Sequence, residues 1–142
     1  MLNTILVALE GSDLSDRVIE TVQQLQLSPS VKIILAHVIP ATDSDLETAA
    51  DRPQSEGETI PYRHIEKQLK VYQASLPFES ELEIVSGDPA EEIIRLANIY
   101  HADLIAIGSR GLTGVKRILQ GSVSSQVVED APCSVLVVKP IG

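Results

Sequence analysis

Five short apolar runs, separated by stretches whose apolar residues recur every three or four positions, lay out this chain. Thr4-Ile5-Leu6-Val7-Ala8-Leu9 and Val31 to Ile39 are continuous enough to be strands buried on both faces. Asp103-Leu104-Ile105-Ala106-Ile107 and Ser134-Val135-Leu136-Val137-Val138 have the same character. Ser80-Glu81-Leu82-Glu83-Ile84-Val85 instead alternates polar and apolar, the mark of an edge strand with one wet face. Between the strands the spacing predicts helices. Leu14, Val18, Val22 and Leu25 form one stripe, behind a cap at Ser12 or Asp13. Ile65, Leu69 and Tyr72 form a second, with Pro61 as first helical residue and a Glu66–Lys70 pair outside. Ile93, Leu96, Ala97 and Tyr100 form a third, entered through the turn Gly87-Asp88-Pro89. A fourth helix opens at Gly121-Ser122, continues through Ser125, Val128 and Glu129, and stops at Ala131-Pro132.

Residues 41–60 break the pattern. They are polar, acidic and without sustained apolar periodicity, which predicts a flexible loop leaving the second strand. A solvated insertion fits that composition; a lid or a partner-binding segment is the alternative.

Strand–helix alternation with no internal repeat and no dividing linker predicts one domain over 1–142. The expected architecture is α/β, a doubly wound five-stranded parallel sheet with helices on both faces and right-handed crossovers. The wet third strand belongs at an edge and the first and fourth at the centre, giving the order 3-2-1-4-5. Ligands of such sheets bind beyond the carboxyl ends of strands, where the winding direction reverses. In this order that point lies between strands one and four, beside Glu10 and Gly108.

Composition sharpens the picture. Aromatics make up only 3% of the 142 residues, so packing rests on Val, Ile, Leu and Ala, as in a helix-covered parallel sheet. A net charge of −9 argues against nucleic acid and anionic membranes as partners. From Gly108 to Ser122 the balance reverses: Arg110, Lys116 and Arg117 occur without an acidic residue, a local setting suited to phosphate. The single Cys133 precludes an intrachain disulfide and, just before an apolar strand, reads as a small hydrophobe rather than a nucleophile. No basic-then-apolar leader and no run of transmembrane length are present, so a cytoplasmic location is expected. His37 on its apolar strand reads as a hydrogen-bonded core histidine, and His64 and His101 as surface residues. No His/Cys cluster has structural-metal spacing.

The chemistry-bearing stretch follows the fourth strand. Gly108, Gly111, Gly114 and Gly121 fall within fourteen residues, with hydroxyls at Ser109, Thr113, Ser122 and Ser124, ahead of a helix N-terminus. A glycine-rich turn between strand and helix presents backbone N–H groups and a partial positive charge to an anion. Neither G-x-x-x-x-G-K-[ST] nor G-x-G-x-x-G fits. The spacing Gly108-x2-Gly111-x9-Gly121-Ser122 resembles the signature of the universal stress protein family in its ATP-binding branch. The resemblance extends over nearly the whole chain, through Ile5-Leu6-Val7-Ala8, Leu35-Ala36-His37-Val38, Gly87-Asp88-Pro89 and Cys133 to Val138, and is weakest across 41–60.

That resemblance implies an adenine nucleotide alpha hydrolase-like fold binding ATP or AMP. Adenine contacts would fall on Ala8, Val38 and Ile107. Phosphate and ribose contacts would fall on Gly108, Gly111, Gly121, Ser122 and Val123, with Arg110 supplying charge. The family's Asp at the end of the first strand is Glu10 here; it would face ribose, or a Mg²⁺ or Mn²⁺ carried in with the phosphates. The resemblance also implies a homodimer through the last strand, where Val135, Leu136, Val137 and Val138 lack edge protection until Lys139 and Pro140. Three functions follow in order of preference. The first is a nucleotide-dependent regulatory module of a stress response, acting on a protein partner the sequence does not identify. The second is slow ATP hydrolysis or phosphoryl transfer at the same loop, for which no residue is an evident base. The third is a dimeric scaffold that binds no nucleotide.

Overall fold

The apolar runs become the strands of one five-stranded, all-parallel sheet in the order β3-β2-β1-β4-β5. The computed structural model describes residues 2–10, 13–40, 55–109 and 123–139. In chain order the elements are β1 (Thr4–Ala8), α1 (Asp13–Gln24), β2 (Lys32–Pro40), α2 (Ser55–Ser75), β3 (Glu79–Gly87), α3 (Pro89–Tyr100), β4 (Leu104–Gly108), α4 (Val123–Asp130) and β5 (Ser134–Val138). Each strand runs parallel to its neighbours because a helix or long connection carries the chain back across the sheet before the next begins.

Side-chain alternation divides the core in two. Ile5, Val7, Leu9, Ile33, Leu35 and Ala106 face α1 and α2, packing on Val18, Ile19, Val22 and Leu69. Leu6, Ile34, Ala36, Ile105 and Ile107 face α3 and α4, packing on Ala90, Ile93, Leu96, Ala97 and Val127. Ile5, Leu6, Val7, Ile33, Ile34 and Leu35 have no exposed surface, which is why β1 and β2 read as unbroken apolar runs rather than alternating ones. Full burial of one such side chain contributes about 1.5–3 kcal/mol. The sheet is therefore a rigid base for whatever its carboxyl edge presents.

Polar groups fix the register at the other edge. The Asp103 carboxylate accepts from the backbone N–H groups of Asn3 and Thr4 at 2.8 and 3.0 Å, and the Asp103 N–H donates to the Thr4 carbonyl at 2.8 Å. The two backbone donors hold the Asp103 carboxyl below the usual carboxylate range. Gly87 leaves β3 at φ +144°, a value that L side chains rarely adopt, and Asp88 caps α3 by accepting from Glu91 N–H at 3.0 Å. On the β3 edge, Tyr100 donates to Glu83 and Glu81, and Lys32 pairs with Glu81 at 2.6 Å. Glu81 and Glu83 on this edge are thus tied down by α3 and β2.

Three expectations need correction. The acidic loop was expected to extend to residue 60, yet Ser55–Ile60 already belong to α2. A proline inside a helix forfeits one backbone bond, which is why Pro61 marks a start in the sequence. Here the helix runs through it. Residues 41–54 lie outside the described residues. The inward face of α4 is Ser124 and Val127, and Val128 is 54% exposed. Leu25 falls beyond α1, and Ile19 joins its buried face instead. Among the described residues no helix is long and apolar enough to cross a membrane.

Candidate functional site

The winding direction reverses between β1 and β4, so the carboxyl ends of these strands bound the crevice. Ala8 pairs in register with Ala36 of β2 on one side and with Ile107 of β4 on the other. Val38 lies two residues past Ala36 on the same strand face. Ala8, Val38 and Ile107 all pack on the α3/α4 side, and Ala8 and Val38 remain half-buried. The structure thereby brings the three proposed adenine contacts into one apolar row at the mouth of the sheet. Glu10 stands exposed one residue beyond Leu9.

The end of β1 is clamped to β2 by two bonds. Leu9 N–H donates to the Ala36 carbonyl, and His37 Nδ1–H donates to the Leu9 carbonyl, both at 2.8 Å. Because a carbonyl can only accept, His37 carries its proton on Nδ1. Burial pushes its pKa below the ordinary value, against the opposing effects of the Leu9 bond and the Glu10 charge. At neutral pH it is a neutral, hydrogen-bonded histidine, as its place on an apolar strand suggests. It holds the residue that precedes Glu10.

Gly108 has a packing reason to be glycine. It is the last residue of β4, and Gly87 is the only described glycine with positive φ, so backbone freedom is not what Gly108 supplies. A Cβ built on Gly108 would lie 2.6 Å from Leu14 Cδ2 and 2.7 Å from Leu14 Cγ. Glycine lets α1 cross close over the end of β4. Beyond it, Ser109 N–H donates to the Val138 carbonyl at 2.9 Å, extending the β4–β5 ladder by one residue.

Val123 begins α4 and is 36% exposed, and the first turn of α4 carries no acidic residue. The first turn of α3, by contrast, already holds Glu91 and Glu92. Arg110, Gly111, Gly121 and Ser122 lie outside the described residues. Cys133 is half-buried, and burial together with the nearby Asp103 charge raises its thiol pKa, which keeps it protonated and unreactive at neutral pH. Among the described residues no group of three His, Cys, Asp or Glu side chains could hold a metal ion. Ser109 is the position the sequence underrates: it is only 5% exposed, and its burial has no signal in a serine that follows a glycine.

An all-parallel sheet wound 3-2-1-4-5, with an apolar row and a carboxylate at its reversal point, defines a doubly wound α/β protein with a carboxyl-edge crevice. The chain belongs to the universal stress protein family, which it matches over residues 1–139. It is 30% identical to Universal stress protein YxiE of Bacillus subtilis over 148 aligned positions, covering 98% of this chain and all of that one. Among solved structures it resembles MJ0577 of Methanocaldococcus jannaschii with a TM-score of 0.84 at 28% identity, covering 100% of this chain and 99% of that one. It also resembles a universal stress protein crystallised in complex with cAMP, with a TM-score of 0.71 at 25% identity and 97% of each chain covered.

Proposed function

We propose that the protein binds an adenine nucleotide, ATP or AMP, at the carboxyl ends of β1 and β4 and works in the cytoplasm as a nucleotide-dependent regulatory module of a stress response. The observation that carries this is the row Ala8, Val38 and Ile107, an apolar seat for a base at the reversal point of the sheet. Glu10 at its rim suits ribose hydroxyls, and the open first turn of α4 suits phosphate. The cAMP complex of a relative supports the same ligand class. A Mg²⁺ or Mn²⁺ ion would arrive on the phosphates with Glu10 as its protein carboxylate, since the described residues offer no self-contained metal site. Native mass spectrometry of gently purified protein is expected to show one adenine nucleotide per chain, or to show it after ATP or AMP is added. Another class of bound ligand, or none after addition, contradicts the reading.

The same reading includes a homodimer through β5. This strand is an outer edge of the sheet, pairing only with β4 among the described strands. Val135 and Val137 turn toward the α3/α4 side and Leu136 and Val138 toward the α1/α2 side, so the described helices pack on its faces, and among the described strands only β4 pairs with its backbone. No charge blunts that edge before Lys139. A second copy pairing antiparallel about a two-fold axis would close it. Light scattering after gel filtration is expected to give twice the chain mass, and Val137→Lys to give the monomer; a monomeric native protein removes the dimer from the account.

A further inference from the structure

The outward face of α2 carries a row of cations that the fold leaves largely without counter-charge. Ile65, Leu69 and Tyr72 pack inward on the core. The same helical period brings Arg63, Lys67 and Lys70 into line on the opposite face, all three exposed. Three side-chain hydrogen bonds hold the helix in that orientation. The Tyr72 hydroxyl donates to Asp16 of α1 at 2.7 Å, the Gln23 amide of α1 to the Ser75 carbonyl at 3.2 Å, and the Gln73 amide to the Ser80 carbonyl of β3 at 3.1 Å. Arg63, His64, Glu66, Lys67 and Lys70 line a surface cavity of about 360 Å³. Elsewhere Arg17, Lys32 and Arg95 each pair with a glutamate, at 3.5, 2.6 and 2.7 Å. On α2, Lys70 reaches Glu66 only at 3.8 Å, and Arg63 and Lys67 make no ion pair among the described residues. Like charges four residues apart on a helix repel, yet a chain with 20 acidic residues to 11 basic ones leaves both of these unpaired.

We infer that this row is a docking surface for an acidic peptide segment of a partner protein, one that presents carboxylates at helical spacing. From Arg63 to Lys70 the row spans about 10 Å, two turns of helix, which a short segment covers. Charge complementarity selects the occupant. Charges more than about 8 Å apart are largely screened at physiological ionic strength, so a short peptide meets mainly the cations. A membrane plane or a nucleic acid would also meet the rest of a surface whose net charge is −9. Tyr62, 43% exposed, and Val71, 67% exposed, flank the row and offer apolar contact that peptide side chains can use and bare phosphate cannot. The surface is separate from the nucleotide crevice, because α2 packs on the sheet face opposite the row Ala8, Val38 and Ile107.

The test uses the whole chain and a fluorescein-labelled helical peptide with glutamates at i, i+4 and i+7, beside the same peptide with glutamines there. Fluorescence anisotropy is expected to show saturable binding of the glutamate peptide, weakened by added salt, and binding of the glutamine peptide weaker by roughly 10-fold or more, about 1.4 kcal/mol. The double variant Arg63→Gln/Lys67→Gln is expected to lose affinity for the glutamate peptide by a similar factor, while Lys67→Arg keeps it. Circular dichroism and thermal unfolding of the variants should match wild type, since both side chains are exposed. Wild-type protein that binds neither peptide, or both equally, overturns the inference, as does wild-type affinity in the double variant. Phosphatidylserine vesicles that bind wild type while the glutamate peptide does not would make the occupant a membrane surface and overturn it too.

Discussion

Gly108→Ala is expected to destabilise the protein by about 2 kcal/mol, lowering its melting temperature by roughly 5–10 °C. The added methyl would meet Leu14 Cδ2 at 2.6 Å and Cγ at 2.7 Å, with Val18 Cγ2 at 3.5 Å behind. Leu14 is 7% exposed and Val18 1%, so neither side chain can swing into solvent to make room. Relief must come from moving α1 off the end of β4, and close-packed interiors resist such shifts. The same displacement would disturb the β1–α1 connection that carries Glu10, so nucleotide affinity is expected to fall as well. Leu14→Ala should cost stability alone, through the cavity it leaves, yet partly rescue Gly108→Ala, because the two sites share one contact. Thermal and urea unfolding of both single variants and the double variant check this. Additive losses would mean that Gly108 and Leu14 do not oppose each other.

Much of the fold was legible in the sequence because its signals are strong and local. The runs Ile5 to Val7, Ile33 to Ala36 and Ile105 to Ile107 are buried on both faces, and only central strands of a helix-covered parallel sheet need that. The alternation in β3 placed it at an edge, and those two facts determine the order 3-2-1-4-5 observed. What escaped had weak or misleading local signals. Val128 is apolar but exposed, while Ser124 is polar but 94% buried, so polarity along α4 does not reveal its inward face. Pro61 imitates a helix start although α2 begins at Ser55. The clamp of Asp103 on Asn3 and Thr4 joins residues about a hundred positions apart, which no local pattern can show.

The candidate site divides in the same way. Strand order alone brings Ala8, Glu10, Ile107 and Gly108 to one edge, and the family resemblance picked out Val38, which the structure sets on the same face as Ala8 and Ile107. For Gly108 the structure adds a packing role, close approach by α1, which is a tertiary fact that glycine spacing does not show. Ser109 looked like one hydroxyl among several ahead of a helix. Its 5% exposure follows from its place at the end of β4, a tertiary fact that no local pattern shows.

The central claim is that the crevice between β1 and β4 takes an adenine nucleotide whose phosphates lie against the glycine turn and the start of α4. Gly121 immediately precedes Ser122 and the first residue of α4, Val123. A β-branched side chain there is expected to crowd a phosphate approaching the helix N–H groups. Calorimetric titration with ATP, set beside circular dichroism of the same samples, tests this most directly. Wild-type protein is expected to bind with micromolar affinity, about −8 kcal/mol, and Gly121→Val to keep its fold and lose roughly 100-fold in affinity or more. Gly121→Val binding ATP at wild-type strength, or folded wild-type protein binding none, would contradict it.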